Sequence, residues 1–301
     1  MVVAEKTLKK IEGNGFFKNA FKRLWKDKLA MIGFCIVILF LIVGFAAPLL
    51  APHNPIEVNT SIRLQGSSWA YPLGTDQLGR CILSRLIYGT QTTLVNALAV
   101  LGGILAVGVP LGLLAGYKGG WIDNLIMRAA DIVCTFPSSL LALAVVSIFG
   151  ASLLNIMVVL VCLWWAPFSR IIRGVVLKVK EKDFVMAAVA SGSSKTKIMV
   201  QHILLNSLSP IVVYATLRVG MIIMHIAGFS FIGLGTQPPA ADWGVMLSDS
   251  REFISTAPMM MVWPGLAIML SVFSLNLFGE GLNEALMPGT GKKARRLGDG
   301  E

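Results

Sequence analysis

Four side chains stand close together in one apolar stretch: Arg218, Met221, Met224 and His225. A neutral imidazole flanked by thioethers suits a transition metal or its chelate. A guanidinium suits a carboxylate or another anion. Plainer readings exist for both residue types, a histidine hydrogen-bonded to a neighbouring helix and methionines filling gaps. An arginine in a membrane-crossing stretch costs about 2.5–3.5 kcal/mol on insertion scales. Arg218 is therefore expected to face a polar path, or to pair with an acid such as Asp131 or Glu280.

Other chemistry is not spelled out. Gly192-Ser193-Ser194-Lys195-Thr196 has the flavour of a phosphate loop but lacks the glycine spacing, and 289–292 fails as well. His-Glu-x-x-His and Gly-x-Ser-x-Gly are both missing, and His53, His202 and His225 lie far apart. Cys35, Cys81, Cys134 and Cys162 have no metal-like spacing. Three of the four sit in apolar runs, where small buried thiols are expected. The chain is thus expected to be no enzyme and to carry no cofactor, so that any energy source lies outside it.

The elements that position these residues follow from composition. Of 301 residues, 55% are hydrophobic and only 14% charged, with a mean hydropathy of +0.73. A soluble domain carries roughly a quarter charged residues. The apolar excess excludes a cytosolic enzyme, a disordered regulator and a nucleic-acid module, and leaves a polytopic membrane protein. No cleavable signal peptide is expected, because the basic N-terminal stretch is too long for an n-region and the run after it too long for an h-region.

Apolar runs give six expected spans, at 29–50, 92–117, 124–149, 152–172, 209–234 and 259–282. Basic residues then set the orientation. Residues 1–28 hold eight Lys or Arg, 170–205 seven and the C-terminal tail four, whereas 51–91 hold three and 235–258 only Arg251. With six spans all the basic segments share one side, which places both termini in the cytoplasm. Phe17, Ala20, Phe21, Leu24 and Trp25 recur at helical spacing among lysines, as in a helix lying along the lipid headgroups. The outer segments 51–91 and 235–258 are long enough to shape a mouth over a pore.

The segment 182–206 is the most informative. Ala187, Ala188 and Ala190 favour a short helix able to pack closely into a partner's groove. Gly192 suits its left-handed C-cap, and Ile198, His202 and Leu205 are expected on one stripe beyond it. Taken alone, this could be a mere loop helix.

That segment resembles the EAA loop of ABC-importer permeases: Ala187, Ala188 and Gly192 match at the expected spacing, and His202 and Asn206 fit its ending. Met186 stands in place of the usual glutamate and Leu205 in place of the usual proline. Gly74-Thr75-Asp76-Gln77-Leu78-Gly79-Arg80 is similar to a signature of the dipeptide/oligopeptide/nickel permeases. So are Ser230-Phe231-Ile232-Gly233-Leu234-Gly235, Pro238-Pro239 and Asp242-Trp243-Gly244. The C-type subunit is the best match.

The resemblance implies an all-α type I ABC-importer permease fold with six transmembrane helices and a cytoplasmic coupling helix, in a bacterial cell membrane. It implies a homologous second permease, two cytoplasmic ATPases and an extracytoplasmic binding protein as partners, alongside membrane lipid and without nucleic acid. Met186, Ala187, Ala188, Gly192 and His202 would form the ATPase-coupling loop. The expected organisation is a cytoplasmic segment 1–28, a first span with its outer loop over 29–91, the permease domain 92–285 containing the loop 182–206, and a tail 286–301. His225, within His-Ile-Ala-Gly-Phe-Ser-Phe, resembles nickel-importer permeases more than dipeptide ones, and so does the Met-Val-Trp-Pro-Gly-Leu run at 261–266. The substrate is accordingly expected to be nickel or a metal chelate, with His225 as candidate ligand and Arg218, Met221 and Met224 on the path. A dipeptide or oligopeptide is the alternative.

Overall fold

Lipid offers the backbone no hydrogen-bond partners, so a chain this apolar must satisfy its own N–H and C=O groups, which helices do within one segment. The computed structural model describes residues 20–286. Among these residues every regular element is helical, and β-pairing is limited to one isolated bridge between Thr75 and Cys81. We number the main helices α1 (Lys28–Phe45), α2 (Ile82–Lys118), α3 (Gly120–Thr135), α4 (Ser138–Phe149), α5 (Leu153–Lys180), α6 (Asp183–Ala190), α7 (Leu205–Phe231), α8 (Trp243–Ser250) and α9 (Met259–Leu286). Among the described residues five helices are long and apolar enough to cross a membrane, and α3 with α4, bent by 82° at a short break, makes six if the pair is counted as one span.

The core forms between α2 and α5, with α7 against them and α1 against α9. Small residues let these backbones approach. A Cβ on Gly112 would lie 2.5 Å from the Ser169 carbonyl oxygen, and one on Gly33 2.7 Å from that of Ser274. At one end Lys180 Nζ donates to the Tyr117 carbonyl at 2.7 Å, tying α5 to the end of α2. Arg173 grips Asp123 with two bonds of 2.5 and 2.6 Å, and Arg170 meets Asp131 at 2.5 Å, which fastens α3 to α5.

Several expectations change. The helix that holds the second span starts at Ile82, ten residues ahead of the apolar run, and its first turns bury Ser84, Arg85, Thr90 and Thr93, polar residues that hydropathy does not count. The third span breaks at Phe136–Pro137, where proline removes a backbone donor and pushes the preceding residue to extended geometry. The fifth begins at Lys195 in one run to Phe231. Of the cysteines only Cys81 is buried, and Cys35, Cys134 and Cys162 face outward. Ahead of α1, residues 20–26 are helical with Phe21 and Trp25 exposed and their rings 5.6 Å apart, in keeping with an apolar face, while Phe17 lies outside the described residues.

Candidate functional site

Three clusters hold the chemistry-bearing residues, one at each end of the bundle and one within it.

At the end where α2 and α5 finish, α6 packs against α5 and the 198–204 turns. Asp183 in its first turn complements the helix dipole. Val185 and Ala188 are buried and anchor it, whereas Met186 and Val189 are 54% and 58% exposed, with Ala187 and Ala190 beside them. Gly192 has φ +76°, the left-handed cap expected. Its N–H donates to the Val189 carbonyl at 3.0 Å, and that of Ser193 to the Ala188 carbonyl at 3.1 Å, which together close a Schellman motif. The helix is stopped rigidly and presents an uncovered apolar face. Beside it a cavity of about 970 Å³ is lined by Tyr117, Trp121, Lys180, Met186, Val189 and Met199. The expected stripe beyond it is corrected. Ile198–Leu204 is π-helical, and i→i+5 bonding shifts the register, so Ile198, Ile203 and Ser207 are buried while Leu205 is exposed and His202 half-buried.

Within the bundle, Arg218 pairs with neither Asp131 nor Glu280. Asp131 is taken by Arg170, and no ion pair forms to Arg218 among the described residues. Its guanidinium instead lies 5.6 Å from the centre of the Trp164 ring, a cation–π distance, with Nη1 at 3.2 Å from Met221 Sδ. His225 meets the same indole edge-on at 4.8 Å between centroids. His225 Nδ1 is 2.8 Å from the Met221 carbonyl. A carbonyl only accepts, so Nδ1 is the donor, and in the neutral tautomer Nε2 is the acceptor. Met221 and Met224 are exposed alongside. The structure thus brings all four expected residues together and adds Trp164 from α5. Sequence reasoning missed Trp164 because nothing in 153–180 marks which helix faces Arg218. No group of three metal-ligating side chains forms among the described residues.

At the opposite end, four charges form a closed cluster. Asp76 Oδ1 accepts the N–H groups of Leu78 and Arg80 at 2.9 Å each. Its Oδ2 receives Arg80 Nε at 2.6 Å and Arg85 Nη1 at 2.8 Å. Both arginines reach Asp249, at 2.9 and 3.4 Å, across more than one hundred and sixty residues of sequence. The arginine side chains are 2% and 1% exposed. Gly79 at φ +75° permits the turn, since a Cβ there would meet the Asn59 carbonyl oxygen at 1.7 Å. Next to it, Trp243 is fully buried and its Nε1–H donates to the Leu86 carbonyl at 3.1 Å. Asp242 caps α8 by accepting from Gly244 and Val245. Burial raises the Asp242 carboxyl above the usual range, opposed by those two N–H bonds and by the Ser230 and Thr236 hydroxyls. Both signatures seen in the sequence therefore meet at one place. The signal for it was the spacing of Asp76, Arg80 and Arg85 around apolar Cys81 and Ile82, because charges in such a setting must pair.

The helices are long and apolar enough for a multi-pass membrane protein, and a firmly capped, exposed helix lies at one end of them. Comparison with known proteins agrees. Residues 108–292 match the family of the binding-protein-dependent transport system inner membrane component, and 15–66 match the N-terminal transmembrane domain of oligopeptide transport permease C. A dipeptide transport system permease protein of Alkalihalophilus pseudofirmus is 45% identical over 272 residues, 90% of each chain. A nickel transport system permease protein of Escherichia coli is 36% identical over 264 residues, covering 88% of this chain and 94% of its own. A metal-staphylopine import system permease protein of Staphylococcus aureus is 38% identical over 267 residues, 89% and 92% respectively. The chain belongs to the ABC-importer permeases of the dipeptide/oligopeptide/nickel family, C-type.

Proposed function

We propose that this permease forms half of the path of an importer for dipeptides or oligopeptides. The observation that carries the reading is Arg218. A fixed guanidinium on the path, stacked on Trp164 and matched by no carboxylate among the described residues, repels a bare dication and attracts a carboxylate. The higher identity to a dipeptide permease, 45% against 36% for a nickel one, supports the same side. This reverses the expectation of nickel or a metal chelate drawn from His225. A chelate rich in carboxylates is the second reading, favoured by the Nε2 lone pair of His225 and by the metal-staphylopine relative.

The rest of the machine is proposed with it. A second homologous permease closes the path against the exposed face of α7 that carries Met221 and Met224. Two cytoplasmic ATPases hold α6 of each permease by the face of Met186, Ala187, Val189 and Ala190. An extracytoplasmic binding protein docks over the end built by 51–91 and 235–258. Both termini lie in the cytoplasm of a bacterial cell, the side on which basic residues accumulate. Closure of the ATPases on ATP moves α6, and the Schellman lock lets it act as a stiff lever rather than unwind. The test is uptake of labelled dipeptide and labelled nickel in a strain lacking this gene and complemented with it. Saturable dipeptide uptake that excess nickel does not compete is expected. Nickel uptake without dipeptide uptake overturns the substrate assignment.

A further inference from the structure

Trp164, Arg218 and His225 have a polarity that no assignment above uses. Arg218 and His225 sit on one helix seven residues apart, about 10.5 Å along its axis at 1.5 Å per residue. They flank one indole, with the guanidinium at 5.6 Å and the imidazole at 4.8 Å from its centre. One end of this platform offers only donors. The other offers a lone pair in the neutral ring, because the Met221 carbonyl accepts the Nδ1–H of His225 and leaves Nε2 as the acceptor.

We infer that the platform binds a zwitterionic dipeptide in a fixed direction, its C-terminal carboxylate on Arg218, its body over Trp164 and its ammonium on His225 Nε2. This rests on the peptide reading above and deepens it. An extended dipeptide spans about 7 Å, from 3.3–3.6 Å per residue. With a hydrogen bond of about 2.9 Å at each end, a straight arrangement needs about 12.8 Å, more than the rise between the two residues, so the peptide lies to one side of the line joining the groups with both end bonds angled towards it. The reverse direction puts the ammonium against the guanidinium and leaves the carboxylate facing an acceptor. The indole supplies apolar area whatever the side chains, so length and termini are read while sequence is not. A half-buried arginine and histidine are also costly to face lipid, which sets this side of α7 towards the path.

The test uses the assembled transporter in nanodiscs without the binding protein, so that only the permease pair selects. In a background with the native cysteines replaced by alanine, Met221→Cys is labelled with a maleimide in the presence of Ala-Ala, Ala-Ala amide or N-acetyl-Ala-Ala. Ala-Ala is expected to slow labelling at least fivefold, and each blocked peptide less than twofold. Arg218→Gln is expected to abolish the difference between acid and amide, and Arg218→Lys to restore most of it. A merely structural role for Arg218 would change labelling equally with every peptide. Equal protection by acid and amide, no protection by any peptide, or a difference that survives Arg218→Gln overturns the inference. Dipeptide uptake by the cysteine-containing parent is measured in parallel. If uptake is present but protection is not, this inference alone fails; if dipeptide uptake is lacking while nickel enters, the peptide reading fails with it.

Discussion

Two arginine-bearing clusters in this molecule are built in opposite ways. Around Asp76 and Asp249, Arg80 and Arg85 are almost wholly buried and find carboxylates within the chain. Around Trp164, Arg218 is half-buried and rests on an aromatic face and a thioether. A charge matched inside the chain stabilises a shape, because its partners are fixed and water is excluded. A charge held by weaker contacts remains available to something that arrives. The first cluster joins two segments distant in sequence at one end of the bundle, and the second is the one we propose a substrate uses.

The largest expected effect comes from opening the closed cluster. Asp76→Ala leaves two buried guanidinium groups short of an acceptor, and stranding a buried charge costs about 3–5 kcal/mol. Loss of folded protein from membranes is expected, read as abundance and as the melting temperature of the solubilised transporter. Arg218→Gln, in contrast, should leave both unchanged to within about 1 kcal/mol, since its cation–π contact at a half-exposed site contributes no more than that. Equal destabilisation by the two substitutions would erase the distinction between the clusters.

Next in size is Gly192→Pro at the other end of the bundle. Proline cannot reach φ +76° and lacks the N–H given to Val189, so the cap of α6 is lost. The complex is expected to remain assembled, with ATP-driven uptake falling at least tenfold while ATP hydrolysis continues. Unchanged uptake would remove the lever. Smaller and more selective effects separate the faces of α6. Val189→Asp places a charge on its exposed apolar face and should lower uptake and retention of the ATPases by about tenfold, the scale of 1.4 kcal/mol. Met186→Glu, which restores the residue usual in the EAA pattern, should stay within about threefold of the parent.

The smallest effect concerns Asp242. Its folded-state carboxyl is raised by burial, so the folded state holds that proton more tightly than the unfolded chain. Its contribution to stability therefore falls as pH climbs from the ordinary carboxylate range through the raised value, and is level above it. Asn is an equally good N-cap. Asp242→Asn should keep α8, remove that fall and leave melting at neutral pH equal or slightly higher. A parent and variant with parallel melting profiles between about pH 4 and about pH 8 would show that Asp242 does not titrate with folding.

Much of the fold was legible because lipid imposes long apolar runs. Legibility failed where tertiary contacts decide. The polar turn at Ser84 and Arg85 joins an otherwise apolar helix because Asp76 and Asp249 pair with Arg85 and the His53 N–H donates to the Ser84 hydroxyl. The bend at Phe136–Pro137 was marked by its proline, yet an apolar run on both sides concealed it. The π-turns over Ile198–Leu204 have no sequence mark, so the expected stripe through Leu205 misplaced that side chain. In the candidate site, spacing along α7 already grouped Arg218, Met221, Met224 and His225. Trp164 and Asp249 were out of reach, since each arrives from another element through packing that one sequence does not encode locally.

The central claim is that this chain moves solute only when a nucleotide-driven partner moves α6. Reconstitution into proteoliposomes tests it most directly, comparing labelled dipeptide accumulation by the full transporter with that of the permease pair lacking its ATPase subunits, binding protein and ATP being supplied to both. Accumulation against a gradient is expected in the first and none in the second. Accumulation by the permeases alone would contradict the account.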